Sequence, residues 1–382
     1  MRCACALSRL PPAANGVALG CAGLATVAAT CADLGLVPHS AALQDVLLSV
    51  TLATVCAYIV KTITAPRIVL AELSHPRKCP GLGAFSMCLM FVAAWAEGGQ
   101  EGSSGLALLS VATVLATVVG ACHWRQSWRL RLPLEPTAFP ADVSLGLVPI
   151  IGSKVGMLPA ARDAAFWLAF ANAVVITPPV VVRLARSRQP ADPGIWPLCA
   201  PWALLAAAWH ASDSGRSTPE AFGVGLSIFA ILMLGLTIFF AALRARAIAR
   251  TFFAPAWANF TFPTCTCSVA TLRLAHRVSS PALLVLGGCL GVAAATVVLT
   301  VLALTVVHLP AWLQGRKRPC SGGGGGGAGG GDGSSGAQAS APRPGAESDQ
   351  RRILSESCQS SSSPSDSPIP AASGAATGVE YV

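Results

Sequence analysis

Residues 250–277 read RTFFAPAWANFTFPTCTCSVATLRLAHR. The 22 residues between Arg250 and Arg273 carry no charge, and about 20 mostly apolar residues are what an α-helix needs to cross the hydrocarbon core of a bilayer. The rest of the chain favours the same reading. Of 382 residues only 11% are charged and 53% are hydrophobic, with a mean hydropathy of +0.61, whereas a soluble domain is about a quarter charged. A water-soluble globular protein is excluded. Pro263 lies in the middle of the stretch and predicts a kink, because a proline inside a helix removes a backbone hydrogen bond and clashes with the preceding turn.

Reading outward, the gaps from Arg9 to Asp33, Asp45 to Lys61, Lys78 to Glu97, Glu101 to Arg125, Asp163 to Arg183, Asp192 to Asp213 and Glu220 to Arg244 all approach or exceed a span's length. Another span lies in Val278 to Gly315, centred on Leu283 to His308, and a weaker one around Val143 to Met157. The chain therefore predicts an all-α membrane protein of about ten transmembrane helices. In the weak segment only 11 residues separate Asp142 from Lys154, and Gly146, Pro149, Gly152 and Gly156 lower its helix propensity. Broken segments at membrane depth survive where they are buried in protein or line a water-filled cavity, so this one is expected on a pathway.

Threading ten spans puts 18 basic residues on one side and five, Lys154, Arg162, Arg216, Arg273 and Arg277, on the other. Basic residues are retained in the cytoplasm, so both termini are expected there. The net charge of +9 then follows from topology and calls for no nucleic acid. The 14 cysteines are scattered through apolar stretches without a disulfide framework. Cys265 and Cys267 form a C-x-C pair with no second pair or histidine cluster beside it, so no metal and no cofactor is expected. Leu10 to Cys31 is too long for a signal h-region and reads as the first span. A transmembrane domain is expected over 1–315. The Gly/Ser/Pro-rich composition of 316–382, including Gly322 to Gly327 and Ser360 to Ser363, predicts a disordered cytoplasmic tail.

The stretch Phe253 to Ala275 resembles the signature A-W-W-x-[YF]-[ST]-F-P followed by a small-residue helix and A-T-x-x-x-A, with Trp257, Thr261, Phe262 and Pro263 in place. That signature marks the tellurite-resistance and dicarboxylate transporter family, whose branches include TehA-like bacterial proteins, fungal malate permeases and the slow anion channels of plant guard cells. Further motifs follow in family order. Arg9 to Gly20 is similar to the plant channels' opening of the first span, His75-Pro76 matches an H-P motif, Pro136-Thr137 sits where N-P-[ST] is expected, and Ser153-Lys154-Val155-Gly156 resembles [AS]-K-V-G. The resemblance runs over about residues 9–310 and is nearest the plant branch.

It implies five helical hairpins around a central pore, lined by the odd-numbered helices, in each protomer of a homotrimer. It also implies that Phe262 projects into the pore and gates it. Pro12, Gly16, Gly20, Gly146, Pro149, Gly152, Pro201 and Pro263, all on odd spans, are expected to line the pore or kink its helices. Lys61, Arg67, Arg125, Arg129, Arg183 and Arg250 are expected to give the cytoplasmic mouth a positive potential, although plain topology also accounts for each. Four residues depart from the pattern: Ala13 and Ala258 replace a glycine and a tryptophan, Arg77 follows the H-P motif, and Asp142 brings to the inner end of the fifth span a carboxylate that is either neutral, paired with a nearby arginine, or outside the lumen.

The expected function is passage of small anions, chloride or nitrate or a malate-like carboxylate, through a pore gated by Phe262 in the plasma membrane. A proton-coupled dicarboxylate carrier, or a sulfite or tellurite exporter of the same family, is the alternative. The six histidines stand singly near span ends, with no H-E-x-x-H and no G-x-S-x-G, so an integral-membrane enzyme is not expected.

Overall fold

The computed structural model describes residues 7–97, 103–130, 135–186, 193–211, 220–245, 248 and 255–313. Every element there is helical and no strand occurs among the described residues. The first four spans are α1 (Ala14–Asp33), α2 (Ala41–Thr64), α4 (Cys79–Ala96) and α5 (Ser103–Arg129), with a short α3 (Pro66–Leu73) between the second and third. The fifth is broken into a 3-10 turn Pro136–Ala138, α6 (Phe139–Asp142), a 3-10 segment Ser144–Leu147 and α7 (Val148–Gly152). The rest are α8 (Pro159–Arg186), α9 (Ala200–Ala211) after a 3-10 segment Pro193–Cys199, α10 (Glu220–Leu243), α11 (Thr261–Arg277) after a 3-10 segment Pro255–Phe260, and α12 (Pro281–Leu313). Seven of these helices are long and apolar enough to cross a membrane on their own. The three that are not are the fifth, seventh and ninth.

Prolines explain why those three are short, and they correct the expectation of kinks. Pro263 is the third residue of α11, Pro201 the second of α9 and Pro149 the second of α7, while Pro12 precedes α1. A proline in the first turn gives up an N–H that has no intrahelical partner, so it starts a helix instead of bending one. The prolines inside α-helices, Pro178 and Pro179 of α8 and Pro310 of α12, fall on even spans, while Pro197 lies inside the 3-10 segment of the seventh. The fifth span is also displaced from the sequence reading of Val143 to Met157. It begins at Pro136 and its helix ends at Gly152. Gly156 has φ +70°, a left-handed conformation that glycine alone adopts without cost, and the Met157 N–H donates to Gly152 O at 2.9 Å.

Consecutive spans pair as five hairpins, and the odd ones touch in the closed order first, third, fifth, seventh, ninth and back to the first. Burial separates the two sets. About three quarters of α1 and α4 is inside the protein (72% and 78%), against 28% to 39% of the even spans. The even spans turn Val111, Val114, Leu232, Val292 and Val307 outward, as helices facing hydrocarbon do. Odd spans meet at small residues. A Cβ built on Gly16 would lie 2.9 Å from Ala258 Cβ, one on Gly20 would overlap the Thr261 side chain, and one on Gly83 would overlap Pro140. These glycines let backbones approach, as small residues do at interfaces between membrane helices.

Candidate functional site

A cavity of about 770 Å³ opens among the N-terminal ends of the odd spans, and all five contribute to its wall. The first gives Pro12, Gly16 and Leu19, the third Pro80, Gly81, Ala84 and Met87, and the fifth Pro136, Thr137, Phe139, Pro140 and Val143. The seventh gives Ile195, Pro197, Ala200 and Leu204, and the ninth Ala258, Asn259, Phe262 and Pro263. Odd spans in a hairpin bundle run parallel, so their helices begin at this cavity with N–H groups and positive dipole ends toward it. Four cations, Arg77, Lys78, Arg183 and Arg244, line the cavity against one carboxylate, Glu135. Arg183 Nη2 meets Glu135 Oε1 at 3.2 Å and Arg244 Nη2 donates to Leu184 O at 2.9 Å. Fixed dipoles and a cationic excess both favour an anion over a cation in such a space.

The lining ends on each odd span at an apolar side chain: Leu19, Met87, Val143, Leu204 and, on the ninth, Phe262 with Pro263. The Phe262 ring is 7% exposed and meets Phe91 of α4 edge-on, with centroids 6.4 Å apart. Its backbone is held by Thr261, whose Oγ1 donates to Gly16 O at 3.1 Å and Ala258 O at 2.7 Å. Trp257 stacks on Phe260 at 5.4 Å, and Phe260 on Trp196 at 4.9 Å, so the signature's aromatics brace the start of α11.

A family model described as voltage-dependent anion channel matches residues 9–306. The chain belongs to that family. It is a multi-pass helical membrane protein of the voltage-dependent anion channel family, whose activity is the passage of anions through a channel or transporter. No curated protein matches the chain.

Within this family member, several sequence-expected residues stand elsewhere than the pore wall. Gly20 is closed off against Thr261, Gly146 faces Leu204, and Gly152 faces Arg162. Gly20, Gly146, Pro149, Gly152 and Pro201 are buried but do not line the cavity. Their smallness serves helix contact and helix initiation. Lys61 is not at the mouth: it is fully buried, with Nζ donating to Glu72 Oε1 at 2.6 Å and to Leu10 O at 2.7 Å. Tyr58 donates to the other Glu72 oxygen, and Lys61 Nζ lies 4.8 Å from the Tyr58 ring centroid. A lysine so enclosed needs this carboxylate, because a buried ammonium without a partner is costly. Arg67, Arg125 and Arg129 are exposed and do not line the cavity. Arg183 does, and Arg250 lies outside the described residues.

Arg77, Lys78 and Arg244 are the lining cations that sequence reading missed as such. The H-P motif places two of them. His75 Nδ1 accepts from the Arg77 N–H at 3.2 Å, Cys79 N donates to His75 O at 2.9 Å, and Pro76 lies between, so the turn delivers Arg77 and Lys78 to the cavity edge. Burial, then the Lys78 and Arg77 charges, lower the His75 pKa below its usual value, partly opposed by its own backbone hydrogen bond. Pro136 and Thr137 line the cavity. Lys154 and Gly156 stand beyond the far end of the fifth span.

Of the three readings that the sequence leaves open for it, Asp142 fits the one outside the cavity. Its Oδ1 lies 3.0 Å from His123 Nδ1 on α5, its backbone carbonyl accepts from Asn172 Nδ2 at 2.9 Å, and it is absent from the cavity wall. The partner is a histidine and not an arginine. Ser127 Oγ, 3.5 Å from His123 Nε2, completes a polar row between the fourth and fifth spans.

Proposed function

We propose that the protein is a channel for small inorganic or carboxylate anions, with the central space among the odd spans as conduit and Phe262 as gate. The observation that carries this reading is the cavity itself: five spans wall it, four cations face it against one carboxylate, and the Phe262 side chain is part of its lining. A ring of apolar side chains at a narrowing closes a pore by sterics and dewetting, and rotation of one aromatic reopens it. The bias of basic residues supports a cytoplasmic position for both termini, in what we take to be a plasma-membrane protein. The protomer is assigned to a homotrimer surrounded by lipid; the outward apolar faces of the even spans suit contact with both lipid and further copies.

A proton-coupled carrier for dicarboxylates such as malate is the second reading, and the buried His123–Asp142 pair favours it. Titratable pairs at membrane depth are the usual parts of proton relays. Reversal potentials across bilayers holding the purified protein, under chloride, nitrate and malate gradients in turn, decide between the two. Currents that reverse at the anion's own equilibrium potential support the channel. Electrically silent malate uptake that follows a pH gradient assigns the protein to the carriers.

A further inference from the structure

A second cavity, of about 300 Å³, lies at the opposite ends of the odd spans, where Leu34, Ile150, Lys154, His210, Arg273 and Arg277 line it. Three of the five basic residues that the topology sends to this side therefore gather at one opening. The rule that keeps basic residues in the cytoplasm works against that placement, so topology does not explain it. Among the described residues Lys154 and Arg273 form no ion pair; Arg277 has only a long contact of 3.6 Å to the exposed Glu220. Arg273 Nη1 donates to Ala207 O at 2.7 Å, which fixes the guanidinium and leaves its other donors. Lys154 lines the cavity with its side chain exposed to solvent. Burial and then the Arg273 charge lower its pKa, with only Asp33 acting the other way.

Lys154 and Arg273 repel each other across this small cavity, with Asp33 offsetting part of the charge of both, and an anion between them removes what remains. We propose that this cavity is a binding station for a small oxyanion, of the carboxylate or nitrate type, with Lys154 and Arg273 as its principal ligands and Arg277 at its rim. The proposal rests on the channel reading for its place on the pathway. A planar guanidinium with paired N–H donors matches two oxygens of one anion better than it matches a halide, and the space exceeds what a halide fills. The competing explanation is that the cations only offset the negative ends of the odd helices, which finish here.

The test uses the full chain in liposomes and a membrane-impermeant amine-acylating reagent, to which a lysine of lowered pKa is especially reactive. Modification of Lys154 is read by peptide mass spectrometry at constant ionic strength in nitrate, malonate, chloride or a bulky sulfonate. Saturable protection by nitrate or malonate, several-fold stronger than by chloride and lost in Arg273→Gln, is the expected result. Should Arg273→Gln fail to fold, the exposed Arg277→Gln must weaken the protection. Equal labelling in all four salts overturns the site and leaves the cations as helix-end charges. Anion flux measured on the same liposomes separates the two claims. Flux without protection removes this station alone, and protection without flux keeps the station and removes the channel.

Discussion

Phe262 is the second residue of α11, and its position follows from Pro263 beside it. The proline starts the helix at Thr261, so the ring is carried where the 3-10 segment gives way to α-helix, at the edge of the cavity. Phe262→Ala should raise basal anion flux by about tenfold or more, which amounts to removing ~1.4 kcal/mol of barrier; unchanged flux in a correctly inserted variant, measured by tracer efflux, would take the gate away from this residue. Gly20 makes a different prediction because a side chain there meets Thr261. Gly20→Val should destabilise the first and ninth spans' contact by about 1–3 kcal/mol, seen as a lower melting temperature in detergent, and Gly20→Ala should do so less. Motif matching found Gly20 and Pro263 but gave them one label, since glycine and proline serve lumen, contact and helix start alike in a linear sequence. Only neighbours such as Ala258, Thr261 and Leu204 tell these uses apart.

At the scale of elements, charge-free gaps located the spans because ions are expelled from hydrocarbon whatever the helix does inside it. They did not locate helix ends. The fifth, seventh and ninth spans hold 3-10 turns and short helices whose boundaries depend on prolines and on protein neighbours, which a gap does not register. The short α3 illustrates a further cost of reading charges singly. Glu72 on α3 and Lys61 on α2 look like interface charges in sequence, yet they form one buried pair that ties the hairpin to Leu10 O. Glu72→Ala should therefore lower stability by about 3–5 kcal/mol, with Lys61→Met recovering part of the loss when combined with it. A double-mutant cycle on unfolding free energy checks this, and additivity of the two changes would contradict the pairing.

The loop after α3 should respond to pH. Its His75 pKa lies below the ordinary value in the folded state, so the neutral ring's contribution is complete above the unfolded value of about 6.5 and is lost as pH falls through the lower folded one. Protection of the Arg77 amide against hydrogen exchange should drop over that interval to the level of His75→Ala. Equal protection in parent and variant at neutral pH would remove the imidazole from that turn.

For the whole molecule, the distribution of basic residues carries two signals that the sequence superimposes. In the proposed channel one sets orientation and the other sets the field in the pore, and both would place arginine and lysine on the same side of the membrane. The structure separates them: Arg77, Lys78, Arg183 and Arg244 face the cavity, whereas Arg67, Arg125 and Arg129 face away from it. Neutralising the exposed pair in Arg77→Gln/Lys78→Gln should reduce anion conductance by about threefold at low salt, because potential in a low-dielectric cleft sets the local concentration of the permeant ion. The reduction should shrink toward nothing near 1 M salt, where screening acts within about 3 Å. Arg67→Gln/Arg125→Gln removes the same charge from the same side of the membrane and should leave conductance unchanged at every salt concentration. Single-channel recordings of both double variants make the comparison. If the two lowered conductance equally, the field would belong to the membrane surface, and the cavity's cations would have no special part in admitting anions.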